Sequence, residues 1–346
     1  MLSSRMLLAA VFVLAALVPE TSAADRAAAA DTEGFRRVFV VHSYNPEYVW
    51  TQNINAGILE ALKEEKVVFD YVYMDAKRHP DKPWLDLEAQ KTLERMRDFD
   101  PDVVIAADDA VQAHFVVPHL KGKDRPQVIF CGVNAPPAVY GFPASNVSGV
   151  QERFHFREGF QLLKKLDPGA KSTVFLVDAS DSGRFLVDDL KDDVTRNGPY
   201  VLDMVSVESI ATFQQWQKAI LRFQGLADTL ALGLYHSLRD ETTGKVVSPE
   251  EVMAWTNSVN TKPTLGFADF SLDHGILCGV LESGEEQGFL GGGMAKEVLL
   301  TGVSAGSLPV RRNDKGVILV NLKAAERFHI DIPYEMIEAA GSVIHH

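Results

Sequence analysis

The chain has 346 residues, 46% of them hydrophobic, and carries 47 acidic against 34 basic side chains for a formal net charge of −13. Positive charge is scattered along it, which excludes a nucleic-acid binder and leaves no polybasic patch for anionic lipid. Two cysteines, Cys131 and Cys278, each inside an apolar segment, are no disulfide scaffold and read as buried free thiols.

The N-terminus reads as an export signal: Arg5 precedes an apolar run from Met6 to Val18, and Thr21-Ser22-Ala23 offers small residues for cleavage. The run is shorter than the roughly 20 apolar residues that span a bilayer. Residues 1–24 are therefore expected to be a removed signal peptide, and 25–34 a disordered Ala-rich tail. No cysteine near the cleavage site offers a lipid attachment point, so a soluble periplasmic protein of Gram-negative type is expected, not inserted in the membrane after cleavage. The remaining chain, roughly 300 residues, has the length of two domains.

Strands then alternate with helices. Arg37–His42 reads as a buried parallel strand, followed by a helix near Trp50–Glu65 with Ile54, Ile58, Leu59 and Leu62 at helical spacing. Phe69–Met74, Asp102–Ala106 and Gln127–Gly132 are the next strands, with helices at Leu85–Phe99 and from Asp109. The pattern repeats with strands at Thr173–Val177, Val201–Val207, Thr229–Leu234 and Thr264–Phe267 and helices at Gly183–Asn197 and Phe213–Gln224. Another helix starts at Ser248-Pro249-Glu250-Glu251, where Ser248 suits the N-cap and Pro249 the first turn. Alternation of this kind implies an α/β fold of two doubly wound parallel-sheet lobes joined by a hinge. The expected lobes are 35–148, completed by 281–305, and 149–280, completed by 306–346.

In such sheets ligands sit beyond the carboxyl ends of the strands, so two facing lobes share one cleft. The strand ends nominate Ser43, Tyr44 and Trp50, then Asp108 and Asp109, then Asn134 in the first lobe. The second lobe offers Asp178, Ser180 and Ser182, then Tyr235 and His236, then Asp269 beside Phe270. Polar and aromatic groups converging from both sides suit a small polar or zwitterionic ligand. Several nominees have a plainer alternative, and His236 at a strand end could be a structural hydrogen-bonder. Ser180 and Ser182 suit helix capping as well as carboxylate binding. One of Asp108 and Asp109 is expected to cap the following helix, and Tyr44 and Trp50 could pack beneath their loop instead of stacking on a ligand.

Catalytic and cofactor strings fail on context. Gly302-Val303-Ser304-Ala305-Gly306 matches a nucleophile-elbow string but follows a helix. Gly291-Gly292-Gly293 does not join a first strand to its helix. No HExxH or phosphate-binding string occurs, so no catalytic residue, metal ligand or cofactor is nominated and the chain is not read as an enzyme.

Several segments resemble the ABC-transporter substrate-binding family that includes tryptophan- and tyrosine-type binding proteins. They are HSYNPEYVWTQNINAGILEAL, VVIAADDAVQAHF, GFADFSLDHGILCGVLESGEEQGFLGGGMAKEVLLTG with the LPV after it, and VNLKAAERFHIDIP. The resemblance implies a type I periplasmic-binding-protein fold, an interlobe ligand site, and delivery of ligand to an ABC permease in the inner membrane. Carried onto matching positions, it implies contacts from Ser43, Tyr44, Asp108, Asp109 and Asn134, with Ser180, Ser182, His236 and Asp269 opposite. The HSYNPEYVW opening also resembles extracytoplasmic sensor domains, whose partner would be a membrane sensor kinase or cyclase. The insert Arg239–Val247 lengthens the cleft edge.

Overall fold

In a computed structural model that describes residues 34–313 and 316–345, two sheets carry the chain. The expected signal peptide and the tail before Gly34 lie outside the described residues. Strands β1 (Arg36–His42), β2 (Val67–Tyr73), β3 (Val103–Ala107), β4 (Gln127–Val133) and β5 (Val147–Gln151) pair in parallel in the order β5-β4-β3-β1-β2. Helices cover both faces of such a sheet, so its central strands tolerate continuous apolar runs. Val38–Val41, Val103–Ala107 and Val128–Cys131 are completely buried. The direction of winding reverses between β1 and β3, which brings His42-Ser43-Tyr44 and Asp108-Asp109 out side by side.

The second sheet repeats this arrangement with β6 (Ser172–Asp178), β7 (Asp203–Ile210), β8 (Thr229–Leu232), β9 (Thr264–Ala268) and β10 (Cys278–Glu282), ordered β10-β9-β8-β6-β7. Its switch point lies between β6 and β8. Of the last three strands, β11 (Arg311–Arg312) joins the first sheet beside β5. Strand β12 (Val317–Asn321) runs antiparallel to β10, and β13 (Ser342–Ile344) pairs with β12. Ser248 caps the helix Pro249–Val259 as its sequence implies, its Oγ accepting the Glu251 N–H at 3.2 Å.

The chain crosses between sheets three times: after β5, between β10 and the helix Gly284–Thr301, and after β11. Strand β5 thus carries the first sheet to Gln151, and β11 returns to it within the segment 306–346 that the sequence assigned wholly to the second lobe. Two residues of strand, Arg311–Arg312, give no periodicity to read. The crossings are tied by buried polar groups. Asn313 Oδ1 accepts the Arg153 N–H at 2.8 Å and its Nδ2 donates to Glu282 Oε2 at 2.5 Å, while Gln287 Nε2 donates to Glu282 Oε1 at 3.1 Å. Among the described residues no helix is long and apolar enough to cross a membrane.

Candidate ligand-binding site

On the first lobe, the segment after β1 divides its labour residue by residue. Ser43 Oγ donates to the Ala107 carbonyl at 2.8 Å and accepts the Val111 N–H at 3.0 Å, so it fastens β1 to the turn after β3. That bond supplies the N-terminal satisfaction expected from an aspartate; neither Asp108 nor Asp109 caps the helix. Tyr44 reaches across the cleft instead, its Oη 3.2 Å from Ser182 Oγ on the opposite lobe. Asp108 adopts φ 66°, a left-handed value costly to a non-glycine residue, and its Oδ1 accepts the Trp50 indole N–H at 2.8 Å. Its Oδ2 is buried with no partner.

Asp109 turns the other way and accepts from Asn134 N at 3.0 Å, Ala135 N at 3.1 Å and Tyr140 Oη at 2.8 Å. It is a structural brace between the β3 and β4 turns. Asp109→Ala would strand three donors, two of them buried, and is expected to cost about 3 kcal/mol. A urea melt should show this as a lower midpoint at unchanged slope.

On the second lobe most nominated groups are engaged locally. Asp178 accepts from Ser180 Oγ at 2.5 Å and from Ser237 N at 2.9 Å, and Ser180 Oγ caps its helix by accepting Gly183 N–H at 3.0 Å. Tyr235 Oη pairs with His274 Nδ1 at 2.7 Å, and its ring stacks on His236 with centroids 5.0 Å apart. Asp269 Oδ2 accepts Asn53 Nδ2 at 2.6 Å and Gly284 N at 3.2 Å, a link between lobes beside the second crossing. His236 packs edge-on against Tyr48 at 5.1 Å and Phe270 at 4.4 Å, so aromatic rings from both lobes meet.

Two compartments result. An inner cavity of about 20 Å³ is lined by Tyr44, Trp50, Asp108, Asn134 and Ser182 among the nominated residues. Tyr48, Lys77, Glu152, Phe154 and Phe270 line it as well. An outer compartment of about 1170 Å³ is lined by His236 and by Val246 and Val247 of the insert, with Met253, Asn257, Lys323 and Arg327. Tyr48, Lys77 and Phe270 border both and form the neck. Ser43, Asp109, Asp178, Ser180, Tyr235 and Asp269 line neither compartment; each is engaged by the bonds above, although Asp269 Oδ1 is buried without a partner.

Electrostatically the inner cavity is rich in carboxyls and poor in cations. Burial, reinforced by Asp109, raises Asp108 from the usual carboxylate range to about 8, against the opposing pull of the Trp50 N–H and Lys77. Burial, then repulsion from Glu282 and Asp108, raises Glu152 well above it too. Burial also lowers Lys77, opposed by Asp178, Asp108 and Glu152, and holds His236 well below its ordinary value. Glu152 Oε2 accepts Asn134 Nδ2 at 2.7 Å, so Asn134 serves as the carboxyl's neutral partner. Such a site can bind and orient a small charged or polar molecule against aromatic faces.

Sequence reasoning passed over Lys77, Tyr48, Glu152 and Phe154. Lys77 follows β2 and Glu152 follows β5, so the strand-end rule extended to those two strands would have reached both.

The family model described as "ABC transporter substrate binding protein" matches residues 50–344. A tyrosine-binding protein of Clostridioides difficile is 28% identical over 182 residues, 52% of this chain and 48% of that protein; the chain thus spans about half the length of this curated relative. Among solved structures, an ABC domain in complex with L-Trp from Streptococcus pneumonia superposes with a TM-score of 0.69 at 19% identity, covering 90% of this chain and 100% of that one. The ligand-free, open structure of a substrate binding protein with adhesive properties from Clostridium difficile gives 0.64 at 20% identity, covering 89% and 99%. These structural likenesses are likenesses of fold.

Proposed function

Because the chain belongs to the ABC transporter substrate-binding protein family, whose model covers residues 50–344, we propose that it is the periplasmic solute-binding component of an importer. In this reading it captures a small polar ligand, of the amino acid or small carboxylate class in preference to sugars, in the cleft between its lobes. The observation that carries the reading is Asp108 Oδ2, a buried carboxyl oxygen without a partner, inside a cavity walled by rings from both lobes. The tyrosine and tryptophan ligands named for the relatives support an amine-bearing ligand with an apolar body. The periplasmic location rests on the export signal read in the sequence, and the ligand is handed to a membrane permease.

A thermal-shift screen of amino acids, small carboxylates, nucleobases and sugars tests the reading. A ligand at a hundred times its dissociation constant stabilises the folded state by about 2.7 kcal/mol. A rise in melting temperature with an amino acid is expected; no shift with any class removes the proposal. The HSYNPEYVW opening supports a second partner, a membrane sensor kinase. Neighbouring genes for a permease and an ATPase favour the importer, and a neighbouring kinase gene favours the sensor.

A further inference from the structure

Lys77 holds its ammonium against two rings, 4.3 Å from the centroid of Tyr44 and 5.2 Å from that of Tyr48. Both distances fall within the range of a cation–π contact, which strengthens when water is excluded. An ammonium has three donors, yet among the described residues Nζ makes no hydrogen bond and has no carboxylate oxygen within 4.0 Å. Asp178, Asp108 and Glu152 nevertheless lie close enough to act on its charge. The seat therefore attracts a cation without binding this one by directed bonds.

The cavity around it is small. Tyr44 Oη meets Ser182 Oγ across the lobes, and about 20 Å³ remains, room for a single water. Lys77 also borders the outer compartment of about 1170 Å³, so its stem has space into which to withdraw the ammonium. Asp108 Oδ2 has no partner and Glu152 lines the same cavity, so a second ammonium would find carboxyl acceptors that Lys77 leaves unused.

We propose that Lys77 is a tethered stand-in for the ligand: its ammonium holds the seat that the ligand's own ammonium takes, and Lys77 withdraws toward the neck on binding. This rests on the reading of the cleft as the ligand site and narrows it. The ligand is an organic amine with a ring or apolar body, and a simple carboxylate is not accepted. Lys77 is then a specificity residue that competes with ligand and keeps the empty cleft from admitting neutral molecules.

Tyramine, tyrosine and 3-(4-hydroxyphenyl)propionate share a ring and differ only in carrying an ammonium, both charges or a carboxylate. Tryptamine, tryptophan and 3-indolepropionate form a second such set. Calorimetric titration of all six into the mature chain and into Lys77→Met is the test. The amine-bearing probes of at least one set are expected to bind and its propionate is not, and Lys77→Met is expected to tighten the amine about tenfold, the size of a desolvated cation–π competitor. Lys77→Gln, which keeps a polar stem of similar length, should move affinity the same way and guards against a folding defect in the first variant. If either variant weakens the amino acid about tenfold and leaves the amine unchanged, or if a propionate binds, Lys77 is a carboxylate partner. The proposal is then overturned while the cleft remains a ligand site. If none of the six binds the wild type or either variant, the reading of the cleft falls and this proposal falls with it.

Discussion

Replacing Asp108 with asparagine is expected to weaken binding of an amine ligand about a hundredfold and to lower the number of protons released on binding by about one. The affinity change corresponds to about 2.7 kcal/mol, the size of a charge-assisted hydrogen bond in a dry site. The substitution keeps an oxygen for the Trp50 indole N–H, so the local scaffold survives and the change reports the charge. In the ligand-free protein burial holds the Asp108 carboxyl at about 8, so it is protonated at neutral pH. An arriving ammonium favours the carboxylate, and the proton leaves. Affinity should therefore rise about tenfold per pH unit below pH 8 and level off above it, while the amine stays charged.

The sign for stability is opposite. A carboxyl whose folded value lies above its unfolded value binds more protons in the native state. The ligand-free protein should thus lose stability as pH rises from about 4 through about 8, and ligand should restore it. Titration in two buffers of different ionisation enthalpy counts the protons directly. Binding that is indifferent to pH, with no loss in Asp108→Asn, would remove Asp108 from the site. Glu152, Asp109 and Lys77 all act electrostatically on the same carboxyl, which is why the expected change is one proton fewer and not the loss of all proton coupling.

The parts of this fold that could be read in the sequence are those whose burial leaves a periodic or continuous pattern. RVFVVH, DVVIA and QVIFCG are continuous because both sheet faces are covered, and their ends led to Tyr44, Trp50, Asp108 and Asn134. Strand β5 escaped because Val147-Ser148-Gly149-Val150-Gln151 breaks the apolar run. A side chain at Gly149 would sit 2.1 Å from the Phe130 carbonyl, so close pairing with β4 forbids the β-branched residue that would have marked the strand. With β5 unseen, Glu152 had no strand end to belong to. Ser180 and Ser182 show a different limit. The same residue type caps a helix or faces a ligand, and only the bonds to Asp178 and Gly183 distinguish the first from the second.

Within the Gly291-Gly292-Gly293 run and the glycine just before it, substitution by alanine is expected to act in opposite directions. The helices Val49–Leu62 and Gly284–Thr301 pack backbone against backbone. A Cβ at Gly288 would lie 2.0 Å from the Ile54 carbonyl oxygen, and one at Gly57 2.0 Å from that of Glu285. Neither obstacle is a flexible side chain, so the helices must separate. Gly288→Ala is expected to cost about 3 kcal/mol even after the roughly 1 kcal/mol gain in helix propensity. Gly293 meets nothing within 4 Å, and Gly293→Ala keeps that propensity gain, about 1 kcal/mol, in full. Calorimetric melting should place Gly288→Ala below and Gly293→Ala above the wild type; a Gly288→Ala melt equal to wild type would show that the helices are not in this contact. The consequence reaches the ligand as well. Trp50, which holds Asp108, and Asn53, which holds Asp269 across the lobes, lie on the helix that Gly288→Ala displaces. That variant should lose ligand affinity together with stability, whereas Gly293→Ala should change stability alone.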